Sequence, residues 1–103
     1  MFVVLCNCPP NESKPLSRAL VGEGLAACVN VLPGVRSTYI WDGELQEDEE
    51  HTLLIKTTKE KVGALSDRIR ALHSYDTVEI LALPVDTANS DPAYVAWVQK
   101  SCR

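Results

Sequence analysis

Residues 28–58 read CVNVLPGVRSTYIWDGELQEDEEHTLLIKTT, and the fold turns on how they are paired. The first part, 28–41, is strand-like but long. Pro33-Gly34 interrupts it, and proline has no N–H to give a ladder, so a bulge or bend at a sheet edge is expected there. Beyond that point Val35, Ser37, Tyr39 and Trp41 alternate with Arg36, Thr38 and Ile40. Asp42-Gly43 is a strong hairpin-turn dipeptide. The return strand is expected over 51–58, HTLLIKTT. Between turn and strand lies ELQEDEE, with five carboxylates in seven residues. Such a tip is expected to project into water and to discourage edge-to-edge pairing.

The flanks repeat one pattern on each side of this hairpin. FVVLC (2–6) is a short β-branched run closed by the turn cluster NCPPN, so it reads as a buried strand. From 11 to 27 the pattern is helical, with Leu16, Leu20 and Ala27 on one face and Pro15 in the first turn. Gly22 and Gly24 weaken its far end. A second helix is expected from near Thr58, a suitable N-cap, with Val62, Leu65, Ile69 and Leu72 as one apolar stripe. EILALPV (79–85) is the fourth strand. Ser90 or Asp91 caps a last helix with Pro92 at its first position, and Tyr94, Trp97 and Val98 form its apolar side.

The order is β-α-β-β-α-β followed by α. That is an α+β, ferredoxin-like split βαβ sandwich in a single domain, 1–103, with an antiparallel sheet and helices on one face. The other face is left bare, and Tyr39, Ile40, Trp41, Leu53 and Ile55 are expected to enrich it. A bare apolar face implies a partner, so a homo-oligomer is expected.

Composition narrows the function classes. The 103 residues are 46% hydrophobic and 23% charged, with a formal net charge of -4. Mild acidity argues against a nucleic-acid partner, which would want a basic face. MFVVLCNC is too short for an export leader or a membrane span, so a cytoplasmic location is expected. The four cysteines then read as thiols, not disulfides. Cys6 and Cys8 form C-x-C with no second pair to complete a zinc site. No G-x-S-x-G, phosphate-binding glycine loop or HExxH occurs, so no enzyme is expected.

An ordered set of short motifs covers nearly the whole chain. It runs Ala26-Ala27-Cys28-Val29-Asn30, Pro33-Gly34, Ser37-x-Tyr39-x-Trp41-x-Gly43, and Glu50 through Ile55-Lys56-Thr57. It continues with His73-x-Tyr75, Glu79, Leu83-Pro84-Val85 and Tyr94-x-x-Trp97. This set resembles the CutA family of divalent-cation tolerance proteins. The resemblance implies a ferredoxin-like subunit in a tight homotrimer, with hairpins reaching onto neighbours and no assigned reaction. It implies a link to tolerance of copper and other divalent cations. It also implies copper ligands at Cys6 and His73, where the position of a second family histidine holds Leu72. The family's H-P-Y-x-x-P-E reads here as His73-Ser74-Tyr75-Asp76-Thr77-Val78-Glu79, without either proline.

Each candidate residue also has a plainer role. Cys6 in an apolar strand is either a small buried hydrophobe or, with His73, half of a soft site suited to copper or zinc. Cys8 shares the face of Cys6 if the strand continues, but Cys8-Pro9 is expected to lie in the turn. His73 is either a ligand or a cap at the helix C-terminus. His51, after four carboxylates, is expected in water. Lys56 on a central strand needs a partner if buried, and an inter-subunit pair with Glu79 or Glu50 is expected. Two functions follow. One is a trimeric, non-catalytic protein binding copper or another divalent cation through Cys6 and His73. The other is a trimer that binds a small molecule or partner protein in inter-subunit clefts lined by Lys56, Tyr75, Glu79 and Trp97.

Overall fold

The computed structural model describes residues 1–103. Four strands form one antiparallel sheet: β1 (Phe2–Cys8), β2 (Cys28–Trp41), β3 (Glu44–Thr57) and β4 (Leu81–Pro84). Their spatial order is β2-β3-β1-β4, the arrangement expected of the split βαβ sandwich. Three α-helices complete the chain: α1 (Ser13–Gly22), α2 (Val62–Leu72) and α3 (Pro92–Ser101). No helix is long and apolar enough to cross a membrane.

Alternation along the strands builds the core. Val4, Cys6 and Cys8 of β1 and Leu53 and Ile55 of β3 point to one face, where they meet Leu16 and Leu20 of α1 and Leu65 and Ile69 of α2. All of these side chains are buried. Leu53 and Ile55 therefore face the helices, not the bare face. The strand period of two sends Thr52, Leu54 and Lys56 to the bare face instead. Val3 and Leu5 of β1 lie there too, beside Leu83 and Leu81 of β4 in the antiparallel register.

The hairpin is longer than the sequence suggested. Its ladder runs from Cys28↔Lys56 to Trp41↔Glu44, so the acidic run is a paired strand and not a loose tip. The reason lies in the turn. Asp42 (φ 55°) and Gly43 (φ 79°) both adopt left-handed backbone, the two-residue turn whose twist matches the strands and closes the ladder at once. Pairing also sets Arg36 opposite Glu49. At fourteen residues each, the arms span about 46 Å at ~3.3 Å per residue. That matches the 45 Å long axis of the molecule. The expected bulge is present: pairing passes from Leu32↔Thr52 to Val35↔Glu50, and Gly34 takes φ 72°.

Helix and strand ends are where periodicity misleads. The first helix stops at Gly22, short of Ala27. Gly24 turns the backbone left-handed (φ 75°), and Leu20 carbonyl accepts from the N–H groups of Leu25 and Ala26. A side chain at Gly24 would also press on Arg103, whose Cβ lies 2.9 Å from where a Cβ would stand. The second helix starts at Val62, because Thr58 carbonyl accepts from Lys61 and Val62 N–H and holds a turn first. Leu72 ends that helix outside the core, 41% exposed, so the stripe stops at Ile69. β1 continues through Cys8, which is buried in the ladder and not in a turn. β4 begins at Leu81, leaving Glu79 in the preceding segment. Asp91 caps α3, accepting from Tyr94 N–H at 2.9 Å, with Pro92 at its first position as expected.

Candidate functional site

The segment between α2 and β4 closes over one end of the sheet and forms the site. His73 ends α2 with its N–H donating to Ile69 carbonyl at 2.9 Å. Its ring is buried. Nε2 donates to Asn7 carbonyl at 2.8 Å and Nδ1 accepts from Tyr75 N–H at 3.1 Å. These partners place the proton on Nε2 and the lone pair on Nδ1. His73 therefore pins the segment to β1, and its ring lies against the Tyr75 ring with centroids 4.7 Å apart. Both prolines of the family pattern are absent, yet the bend stands on these bonds and on Glu12. The Glu12 carboxylate accepts from Ser74 N–H at 3.2 Å and from Ser74 Oγ at 2.6 Å.

Cys6 meets His73 at the same carbonyl: its thiol donates to Asn7 O at 3.8 Å. Burial first, then the neighbouring Cys8 and the charges of Glu79 and Glu50, push the Cys6 thiol up to about 12. Cys8, on the same strand face, is pushed up to about 11 by burial and by Glu12 and Glu50. Both are protonated at neutral pH. No group of three or more His, Cys, Asp or Glu side chains stands ready to share a metal ion. At Cys6 and His73 a thiol and an imidazole N–H both donate to the one Asn7 carbonyl.

On the bare face beside them, a groove of about 730 Å³ runs between the hairpin and the segment after α2. Glu50 forms its floor and is only 6% exposed. Tyr75 Oη donates to Glu50 Oε2 at 3.0 Å. Burial and this carboxylate hold the Tyr75 phenol well above its ordinary value. Glu79 lies across the groove, and burial followed by the Glu50 charge raises its carboxyl above the usual range. Tyr39 and Trp41 complete the hairpin wall, with Tyr39 Oη donating to Asp48.

Lys56 is elsewhere. It stands six residues along β3 from Glu50, about 20 Å away at ~3.3 Å per residue. Its ammonium reaches Asn30 Oδ1 and lies 4.0 Å from Cys28 Sγ. Tyr94 of α3 lies beside Cys28, and its ring stacks with Trp97 at a centroid distance of 5.6 Å. The four residues expected to line clefts between subunits fall at two places in the one chain: Tyr75 and Glu79 near Glu50, Lys56 and Trp97 near the other end. Within the subunit Lys56 pairs with neither Glu50 nor Glu79. Asn7 was missed in the sequence, although its place after Cys6 puts its side chain on the bare face, where Thr52 Oγ1 donates to it at 2.7 Å. Glu12 gives no signal and Asn30 enters only within the motif that ends on it, because each acts through a partner distant in the chain. His51 is not simply solvated: its Nδ1 lies 2.7 Å from Ser13 Oγ at the start of α1.

Comparison with known proteins agrees with this architecture. The family profile described as CutA1 divalent ion tolerance protein matches residues 2–101. The Divalent-cation tolerance protein CutA of Thermus thermophilus is 44% identical over 100 residues, covering 96% of this chain and 95% of that protein. The human protein CutA is 43% identical over 93 residues, covering 88% of this chain and 51% of the human sequence. The chain therefore spans nearly all of the bacterial relative and about half of the human one. Among solved structures, the PII-like protein CutA from Nostoc superposes with a TM-score of 0.96 at 35% identity, covering 100% of this chain and 98% of that one. The chain belongs to the CutA family of divalent ion tolerance proteins.

Proposed function

We propose that this chain is a divalent-cation tolerance protein that acts by binding, without catalysis, as a homotrimer. The family match over residues 2–101 carries this reading. Assembly is supported by large apolar side chains left open to solvent, including Ile40 at 70% and Trp41 at 58% exposure, together with Leu32, Leu81 and Leu83. The outer strands β2 and β4 also leave both sheet edges unpaired. A cleft that unites Lys56, Tyr75, Glu79 and Trp97 then needs two copies, because one copy holds them at opposite ends of the sheet. Four free cysteines suit the reducing cytoplasm.

The ligand of this reading is copper, or another divalent cation, held at Cys6 and His73. Their convergence on the Asn7 carbonyl supports it. A thiolate and an imidazole favour copper or zinc over calcium or magnesium. Ligation takes the proton from a thiol that burial has pushed up to about 12, so binding releases protons and strengthens as pH rises. Copper titration under reducing conditions tests the ligands: Cys6→Ser and His73→Ala should each weaken binding at least about tenfold, given the loss of one of two donors. Unchanged affinity in both variants rejects the pair. Sedimentation velocity at micromolar protein tests the assembly, and a monomer rejects it.

A further inference from the structure

On the helix side of the sheet, opposite the bare face that a second copy would cover, Cys8 and His51 are direct partners in the β1–β3 ladder. Period two turns both side chains to the face that carries Cys6, Leu53 and Ile55. Cβ atoms of directly opposite residues stand about 4.5–5.5 Å apart. An ion bonded to one sulfur at about 2.3 Å and one imidazole nitrogen at about 2.0 Å spans about 4.3 Å. Side chains from this pair therefore reach a shared ion with the ladder intact.

Ser13 fixes which nitrogen is offered. Its hydroxyl has one proton, and the Pro10 carbonyl, 3.1 Å away, accepts that proton because it has none to give. His51 Nδ1 lies 2.7 Å from the same oxygen, so it carries a proton and donates to it. Nε2 keeps its lone pair and has no hydrogen-bond partner within the chain. His73 differs, since both of its ring nitrogens are hydrogen-bonded. A metal-ligating histidine is held in the manner of His51, by a bond from its other ring N–H. Cys8 is buried, and the charges of Glu12 and Glu50 act on its thiol. That negative field favours a cation. His51 is half-buried and gives the ion an entry.

Donor number selects the ion. Zinc takes four ligands, and no three His, Cys, Asp or Glu side chains converge here. One thiolate and one imidazole suit monovalent copper, a soft ion satisfied by two donors. We propose that Cys8 Sγ and His51 Nε2 form a two-donor site for monovalent copper, separate from Cys6 and His73. The thiol proton leaves to solvent as the sulfur–copper bond forms, and Ser13 is the positioning residue. This extends the cation-binding reading but uses neither of its ligands, so failure of Cys6 and His73 as ligands leaves it standing.

Competition of the full-length protein with the copper(I) chelator bicinchoninate, under reducing and oxygen-free conditions, provides the test. Cys8→Ser and His51→Ala should each weaken binding at least about tenfold, and Ser13→Ala should weaken it about tenfold, as loss of an outer partner does. The Cys6→Ser, His73→Ala double variant should keep this site within threefold. Zinc should show no saturable binding to that double variant. Circular dichroism confirms that each variant is folded, and His51→Gln serves if His51→Ala unfolds. Unchanged affinity in both Cys8→Ser and the His51 variant overturns the site. Loss of all copper binding in the Cys6→Ser, His73→Ala protein overturns its independence.

Discussion

Tyr75 Oη and Glu50 Oε2 lie 3.0 Å apart and join the segment after α2 to the middle of the hairpin. This bond is the one hydrogen bond that the nearly buried Glu50 carboxylate receives. Tyr75→Phe removes the donor and leaves the carboxylate. Hydrogen bonds to charged groups contribute about 1.5–3 kcal/mol, and Tyr75 is partly exposed, so a loss of about 1 kcal/mol is expected. Urea unfolding of the two proteins measures it. Equal midpoints would show that water replaces the hydroxyl without cost.

Core position along α2 is tested by contrast. Leu65 and Ile69 are fully buried against β1 and β3, whereas Leu72 has turned out of that core. Ile69→Ala should cost about 2–5 kcal/mol, as truncation of a buried aliphatic side chain does. Leu72→Ala should cost less than about 1 kcal/mol. Denaturant midpoints with unchanged m-values report both. A Leu72 variant as damaging as Ile69→Ala would place Leu72 in a buried interface.

The two strand thiols predict a pH and a reactivity pattern. Cys6 and Cys8 keep their protons to about 12 and about 11 in the folded chain, against an ordinary value of 9.0. Between pH 9 and those values the unfolded chain loses these protons and the folded chain keeps them. Their contribution to stability is therefore present below pH 9 and is lost as pH rises through that window. The wild type should lose stability more steeply above pH 9 than a Cys6→Ala, Cys8→Ala double variant. At pH 8, iodoacetamide should reach the half-buried Cys28 and Cys102 first and Cys6 and Cys8 only on unfolding. Mass spectrometry of the alkylated protein reads the order.

The sequence carried the topology because its strongest signals are local. Asp42-Gly43, Pro33-Gly34 and Pro92 each demand a backbone shape that few neighbours can override, and all three stand where expected. Leu53 and Ile55 take the helix face and not the bare one, because period two gives two faces without saying which one the helices cover. Composition alone places the acidic run in water, while the tight turn enforces its pairing. At the site, His73 and Tyr75 were legible as a cluster. Their partners Asn7, Glu12 and Glu50 were not legible as partners, since contacts spanning 25 to 66 residues leave no mark on spacing.

Glu79 gives the last prediction, and its sign is set by the groove. Burial and then the Glu50 charge raise its carboxyl above the ordinary value of 4.5. The folded chain therefore holds this proton more firmly than the unfolded chain. Stability from Glu79 rises as pH falls through the raised value and levels off below 4.5. Above that window the charged carboxylate is a net penalty, because burial and then the Glu50 charge both disfavour it. Glu79→Gln should raise the melting temperature at pH 7, and the gain should shrink toward pH 4. Thermal melts at pH 4, 5.5 and 7 check each step. A Glu79→Gln protein less stable than wild type at pH 7 would mean that a cation from the assembled protein already neutralises this acid.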